Sequence, residues 1–178
     1  MTDRGRYRGK RVIPAPKDWV PPPLPTSPGL LAPVVAHVFE SLKVGLSLWI
    51  EKDFWQVIHQ TPDVTVFEYE LGVAAGRWAH NDRSLREACR ERRMIVREHA
   101  GFYDLFLPVE DVGGVSRAFV VGPFAKSRPT SIEIQRRWFE LSGSQGRLSD
   151  RSFARYVSTT LGTLTLEGNL LEPFERLT

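Results

Sequence analysis

Apolar side chains crowd two consecutive runs, Phe102–Val109 and Val115–Phe124, separated by Glu110-Asp111-Val112-Gly113-Gly114. Two β-rich runs joined by a short acidic turn with glycines predict an antiparallel hairpin. Tyr103, Leu105, Leu107 and Val109 share one face of the first strand, and Phe102 and Phe106 the other. In the second strand Val115, Phe119 and Val121 oppose Ala118 and Val120. A strand wet on one side would alternate apolar with polar residues, so this hairpin is expected mid-sheet, covered on both faces. Asp104 and Arg117 are charged residues set into it, and buried charge requires a partner.

The remaining pattern places elements around that hairpin. Leu31, Val34, Val35, Val38 and Leu42 recur at helical spacing and predict an amphipathic helix over about 30–42, with Pro33 confined to its first turn. Three β-branched and aromatic stretches follow, Val44–Ile50, Phe54–Ile58 and Val64–Leu71, and each predicts a strand. In the third, Glu68 and Glu70 share one face. Paired carboxylates suit acid–base work, but a solvated face of a half-buried strand is the favoured reading. Asn81 or Asp82 caps a helix over about 83–93 with Leu85, Ala88 and Cys89 on its apolar stripe, and a short strand follows near Met94–Glu98.

Beyond the hairpin, Thr130-Ser-Ile-Glu133 behind Pro129 is a capping box, and Ile134, Trp138 and Leu141 give its helix a buried stripe that ends at Gly143. Ser149 or Asp150 caps a last helix lined by Phe153, Val157, Leu161, Leu164, Leu170 and Leu171. Gly162 and Gly168 weaken it, and Pro173 ends or kinks it. This order predicts an α+β fold, a central and mostly antiparallel sheet of five to six strands with helices on its faces.

Length and charge then bound the organisation. The 178 residues suit one domain plus tails. Seven of the 13 prolines fall between Pro14 and Pro28, so residues 1–27 read as a disordered basic and Pro-rich arm before a single domain at 28–178. Trp19 would pin the end of the arm to that domain. Residues 1–20 hold six basic side chains against Asp3 and Asp18, a local +4, so the rest of the chain carries about −1 of the overall +3. The basicity belongs to the arm and does not by itself imply nucleic-acid binding. No run reaches the roughly 20 apolar residues of a membrane helix, and the N-terminus lacks a signal-peptide core. The single cysteine, Cys89, leaves no internal disulfide and fits a reducing cytoplasm.

Motifs for catalysis are missing. There is no Gly-x-Gly-x-x-Gly, no Walker loop, no Gly-x-Ser-x-Gly elbow and no His-Glu-x-x-His. His37, His59, His80 and His99 have no metal-ligand spacing among themselves or with Cys89, so no metal, no cofactor and no catalytic residue is expected. A binding-pocket argument survives. Aromatics on both faces of a covered hairpin suit either a small-molecule cavity or a packed core, with Phe102, Tyr103, Phe106, Phe119, Trp78 and Trp138 as walls. Asp104 and Arg117 sit at similar distances from the turn. They either pair across the hairpin, the favoured reading, or one of them orients a polar ligand.

The stretch NDRSLREACRERRMIVREHAGFYDLFLPVEDVGGVSRAFVVGPF, Asn81–Phe124, resembles the second half of a GAF-type sensory domain. There a helix leads to a strand ending in a Leu-x-Val-Pro-Ile-like phrase, then a turn and a Gly-x-Leu-like returning strand. Leu105-Phe-Leu-Pro108-Val109 and Ala118-Phe-Val-Val-Gly122 stand at those places. The continuation GPFAKSRPTSIEIQRRWFELSG and the closing helix are similar to N-terminal sensory regions of multidomain bacterial regulators. The resemblance spans about residues 30–175. It implies a central antiparallel sheet, helices on both sides and dimerisation through terminal helices. The Asn-Lys-x-x-x-Phe…Asp-Glu pattern of cyclic-nucleotide-binding members is absent, and so is a bilin-type Cys-His pair, since Arg90 follows Cys89. Only the general sensor role carries over.

The expectation is therefore a non-catalytic sensory or regulatory module. It takes a small ligand beside Trp78, Phe102, Tyr103, Asp104, Phe106, Arg117 and Phe119, and signals through its terminal helices to a second copy or an effector protein. Phe153, Val157, Leu161 and Leu164 would bury against the domain or form a dimer seam. Nucleic-acid association through the basic arm is the alternative, and an enzyme built on His80, Asp104 or Glu68 is a third reading.

Overall fold

The computed structural model describes residues 32–51, 54–112 and 115–177. The expected arm, Trp19 and the Gly113-Gly114 turn lie outside the described residues. The chain forms α1 (Ala32–Leu42), β1 (Gly45–Ile50), β2 (Phe54–His59), α2 (Thr65–Glu70), α3 (Ala75–Glu91), β3 (Ile95–His99), β4 (Phe102–Val112), β5 (Val115–Phe124), α4 (Ser131–Ser142), α5 (Arg151–Gly162) and α6 (Leu171–Leu177), with a 3₁₀ turn at Gly168–Leu170. It is an α+β fold built on a five-stranded antiparallel sheet of order β2-β1-β5-β4-β3.

The hairpin of β4 and β5 does run inside this sheet, with β1 beyond β5 and β3 beyond β4. Both of its faces are covered. On one face Leu105, Val121 and Phe124 pack with Phe39 of α1, Leu166 and Phe174 of α6. On the other, Phe106 and Ala118 pack with Trp49, Ile95 and the α3 residues Leu85 and Ala88. Burying each large side chain contributes about 1.5–3 kcal/mol, which is why no polar alternation appears in these strands. A third cluster joins Phe67 of α2 to Ile134 and Trp138 of α4 and to Phe153 and Tyr156 of α5.

Local signals place several boundaries. Thr130 Oγ1 accepts from the Glu133 N–H at 3.3 Å, and Glu133 Oε2 accepts from the Thr130 N–H at 2.7 Å, completing the capping box of α4. Asp150 caps α5 by accepting from the Ser152 N–H at 2.8 Å. Ala100 and Gly101, with φ of 53° and 84°, link β3 to β4 in a two-residue turn of the kind that matches strand twist. That turn sets His99 opposite Phe102.

Three expected elements differ. The stretch 64–71 is not a strand: Thr65–Glu70 is α2. Asp63 Oδ1 accepts from the Thr65 N–H at 2.7 Å and from its hydroxyl at 2.5 Å, turning the chain into a helix that buries Phe67 and Glu68. A β preference worth about 1 kcal/mol is small beside that burial. The helix expected over 83–93 begins earlier, at Ala75. The final helix is split: α5 stops at Gly162, and Leu164–Leu166 runs extended instead. There the Ala125 N–H donates to the Leu164 carbonyl and the Leu166 N–H to the Ala125 carbonyl, both at 2.8 Å. Pro173 does not end α6 but lies in its first turn, where no N–H is needed. No helix among the described residues is long and apolar enough to cross a membrane.

Candidate functional site

Arg77 sits on the inner face of α3 in a series with Ala74, Ser84, Leu85 and Ala88, all of them buried. The helical repeat thus points a guanidinium at the sheet where an apolar residue would be expected. Its Nε and Nη2 donate to Glu68 Oε2 at 3.1 Å and Oε1 at 2.8 Å, a two-pronged pair. Its Nη1 donates to Asp104 Oδ2 at 2.5 Å. All three residues are about 95 % buried or more. One cation therefore ties α2, α3 and β4 together.

Asp104 owes its position to an irregularity in the hairpin. Tyr103 pairs with Phe124 but Leu105 with Val121, so β5 carries one extra residue opposite Asp104, in the segment Gly122-Pro123. A Cβ at Gly122 would lie 2.3 Å from Asp104 Oδ1, so the carboxylate rests directly on the backbone of β5. Gly45 repeats the device, since a Cβ there would meet the Gly122 carbonyl at 2.7 Å. Glycines at both places let β1, β5 and the Asp104 side chain converge.

Two histidines complete the polar layer. His99 Nε2 lies 3.6 Å from Glu68 Oε2, and its ring centroid is 4.9 Å from that of His80 on α3. Burial, the neighbouring His99 and Arg77 push His80 down to about 4, so it is neutral at physiological pH. Burial alone would raise Glu68, but His99 and the two hydrogen bonds from Arg77 bring it below the ordinary carboxylate range. Asp104 goes the other way: burial raises it, Arg77 opposes, and the charges of Asp63 and Glu68 add to the rise. Burial likewise raises Asp63, against its bonds from Thr65.

A cleft of about 840 Å³ opens above this layer, between α2, the β1–β2 hairpin and α5. Asp63, Arg77, Asn81 and Asp104 lie along it, with Trp55, Phe67 and Tyr69 as aromatic walls. Trp78 meets both Trp55 and Tyr69 edge to face, at 6.4 and 6.1 Å between centroids. At the rim Arg155 pairs with Glu70 and stacks over Phe67. Among the described residues no three His, Cys, Asp or Glu side chains are placed to hold a metal ion.

The expected ligand residues are divided by the sheet. Asp104 lines the cleft, and Trp78 packs against two of its aromatic neighbours. Phe106 is on the same face, 6.0 Å from the His80 ring, but lies buried under α3. Phe102 is buried with Val64 and Ala125, beneath the Arg137 guanidinium. Tyr103 and Phe119 face the opposite layer, where Tyr103 stacks on Phe124. Arg117 stands opposite Val109 and Ile50, five residues along β4 from Asp104, so the register keeps the expected Asp104–Arg117 pair from forming, and Arg77 is the partner instead. Glu68 is likewise not on a solvated face but 3 % exposed. Arg77, Asp63, Trp55 and Tyr69 escape a reading that treats the region before Asn81 as strand and loop. The signal for Arg77 is a charge in register with Ala74, Leu85 and Ala88.

Of the expected terminal seam, Phe153 is buried against Trp138 and Val157 packs beside it within the chain itself, while Leu161 stays exposed. No protein-family model, no curated protein and no solved structure matches this chain.

Proposed function

We propose that this chain is a non-catalytic sensory or regulatory module that binds a small ligand in the cleft over Arg77 and Asp104. The observation that carries the reading is the cleft itself: about 840 Å³, walled by aromatics and floored by buried charges. That combination suits a ligand site, apolar in most of its lining with a few fixed polar groups. The sheet with helices on both faces agrees with the architecture that the resemblance to GAF-type domains implies. Binding rather than chemistry is favoured because Glu68 already commits both oxygens to Arg77.

A route for the signal follows from connectivity. Gly122 and Pro123 line the cleft, and Ala125, two residues on, is bonded to Leu164 and Leu166 just before α6. A ligand that moves Pro123 acts on the terminal segment through those two hydrogen bonds, toward a second copy or an effector protein in the cytoplasm. The test is a thermal-shift screen of a chemically diverse small-molecule library, repeated on Val57→Phe, which narrows the cleft. Compounds that stabilise the wild-type chain and lose that effect in the variant support the reading. A screen without hits, or hits indifferent to Val57→Phe, would sink it.

A further inference from the structure

We infer that the ligand of this cleft is an organic cation, an amine or quaternary ammonium group seated against Asp63 and Asp104 with Trp55 and Tyr69 beside it. The inference rests on the proposal that the cleft binds a small ligand, and it names the chemistry of that ligand.

The charge inventory sets the sign. Both arginines that line the cleft are already held by carboxylates, Arg77 by Glu68 and Asp104, and Arg155 by Glu70. An incoming anion at Arg77 would have to displace a desolvated pair that is costly to break, and at the half-exposed Arg155 it would compete with Glu70. The carboxylates are in excess. Asp63, Glu68 and Asp104 share one guanidinium; the imidazole beside them, His99, lies 3.6 Å from Glu68 rather than against Asp63 or Asp104, and His80 is neutral. Asp63 receives its hydrogen bonds from the N–H and hydroxyl of Thr65, both uncharged donors. A cation in the cleft would supply the missing positive charge where little water competes with it.

The walls select an organic group rather than a bare ion. Trp55 and Tyr69 offer ring surface, and cations are attracted to such faces, tryptophan most strongly. No trio of metal-ligating side chains is assembled among the described residues. The Tyr69 hydroxyl lies within electrostatic range of Arg77, Glu68 and Asp63, so this ring spans the charged floor and the apolar wall.

Three matched probes test the inference by NMR chemical-shift titration of the full chain: phenethylamine, phenethyl alcohol and hydrocinnamate, which share a ring and differ in charge. The amine is expected to bind at least about tenfold tighter than the alcohol, the difference one partly desolvated charge contact supplies. Hydrocinnamate is expected to bind more weakly than either. Asp63→Asn should weaken the amine about tenfold and leave the alcohol unchanged. The variant keeps an oxygen for Thr65, so its melting temperature should barely move. Asp104→Asn is the second variant and should act in the same direction. Alcohol or hydrocinnamate binding as tightly as the amine would overturn the inference while leaving the cleft a ligand site. Amine binding untouched by both substitutions would overturn it as well. If none of the probes binds and the library screen is also empty, the ligand-site proposal fails and this inference with it.

Discussion

The guanidinium of Arg77 and the carboxylate of Asp104 meet at 2.5 Å, 27 residues apart in sequence, one on the inner face of α3 and the other at the β5 bulge. Through the same side chain Arg77 also clamps Glu68, so a helix, a strand and the short helix α2 share one buried cation. Removing that cation leaves two buried carboxylates without the guanidinium they share. Arg77→Met should therefore cost about 3–5 kcal/mol in urea unfolding. A triple variant, Glu68→Leu with Arg77→Met and Asp104→Leu, should recover much of the loss, because an apolar trio needs no desolvated partner. A triple variant less stable than the single one would refute this account.

Acid should weaken the fold through His80. Its value is pushed down to about 4 from an ordinary 6.5, so between those limits the unfolded chain binds a proton that the folded chain refuses. Unfolding free energy then falls as pH drops across that window. His80→Gln should flatten the decline by roughly 1–2 kcal/mol, less than the whole shift implies because the ring is partly solvated. Asp63 and Asp104, both raised, act with the opposite sign: they favour the folded state as pH falls. The difference between wild type and His80→Gln, followed by chemical denaturation against pH, isolates the histidine. A constant difference would contradict the assignment.

Gly122 has no room for a side chain. A Cβ there would stand 2.3 Å from Asp104 Oδ1, so Gly122→Ala must push the carboxylate from Arg77 or shift β5. A loss of about 1–3 kcal/mol is expected, the usual range for overpacking. Combining it with Asp104→Ala should cost less than the sum of the two, since the clash disappears with the carboxylate. Additive losses in a double-mutant cycle would show that the strain lies elsewhere.

The terminal segment should prove integral to the core. Phe174 is buried, with its ring 5.5 Å from Phe124, and Leu166 belongs to the same cluster. Phe174→Ala should lower stability by about 3 kcal/mol, through lost burial and the cavity left behind. Leu161→Ala, at an exposed position of α5, should change it by less than about 0.5 kcal/mol. Comparable effects at the two positions, read from denaturation midpoints, would argue against the packing described.

Much of the frame could be read from hydrophobic spacing. The doubly apolar runs around Leu105 and Val121 demanded cover on both faces, and α1 and α6 on one side and α3 on the other provide it. The caps at Thr130 and Asp150 were legible because their partners lie within three residues. The candidate site was not. The pattern marks Asp104 as a buried charge but points across the hairpin to Arg117, whereas its partner, Arg77, lies on α3. The β-forming residues of Val64–Leu71 point to a strand for Glu68, and nothing local reveals that its buried carboxylate will be matched by Arg77.

Sequence alone determined what depends on neighbours a few positions away: strand and helix periodicity, caps, turns, and the need of Asp104 for a counter-charge. Tertiary structure decided which groups meet. Spacing constrains the face on which a side chain emerges, but desolvation and Coulomb energy depend on distances set only after α2 and α3 have docked on the sheet. The trio of Glu68, Arg77 and Asp104, the neutral His80 and the cleft above them all belong to that second level.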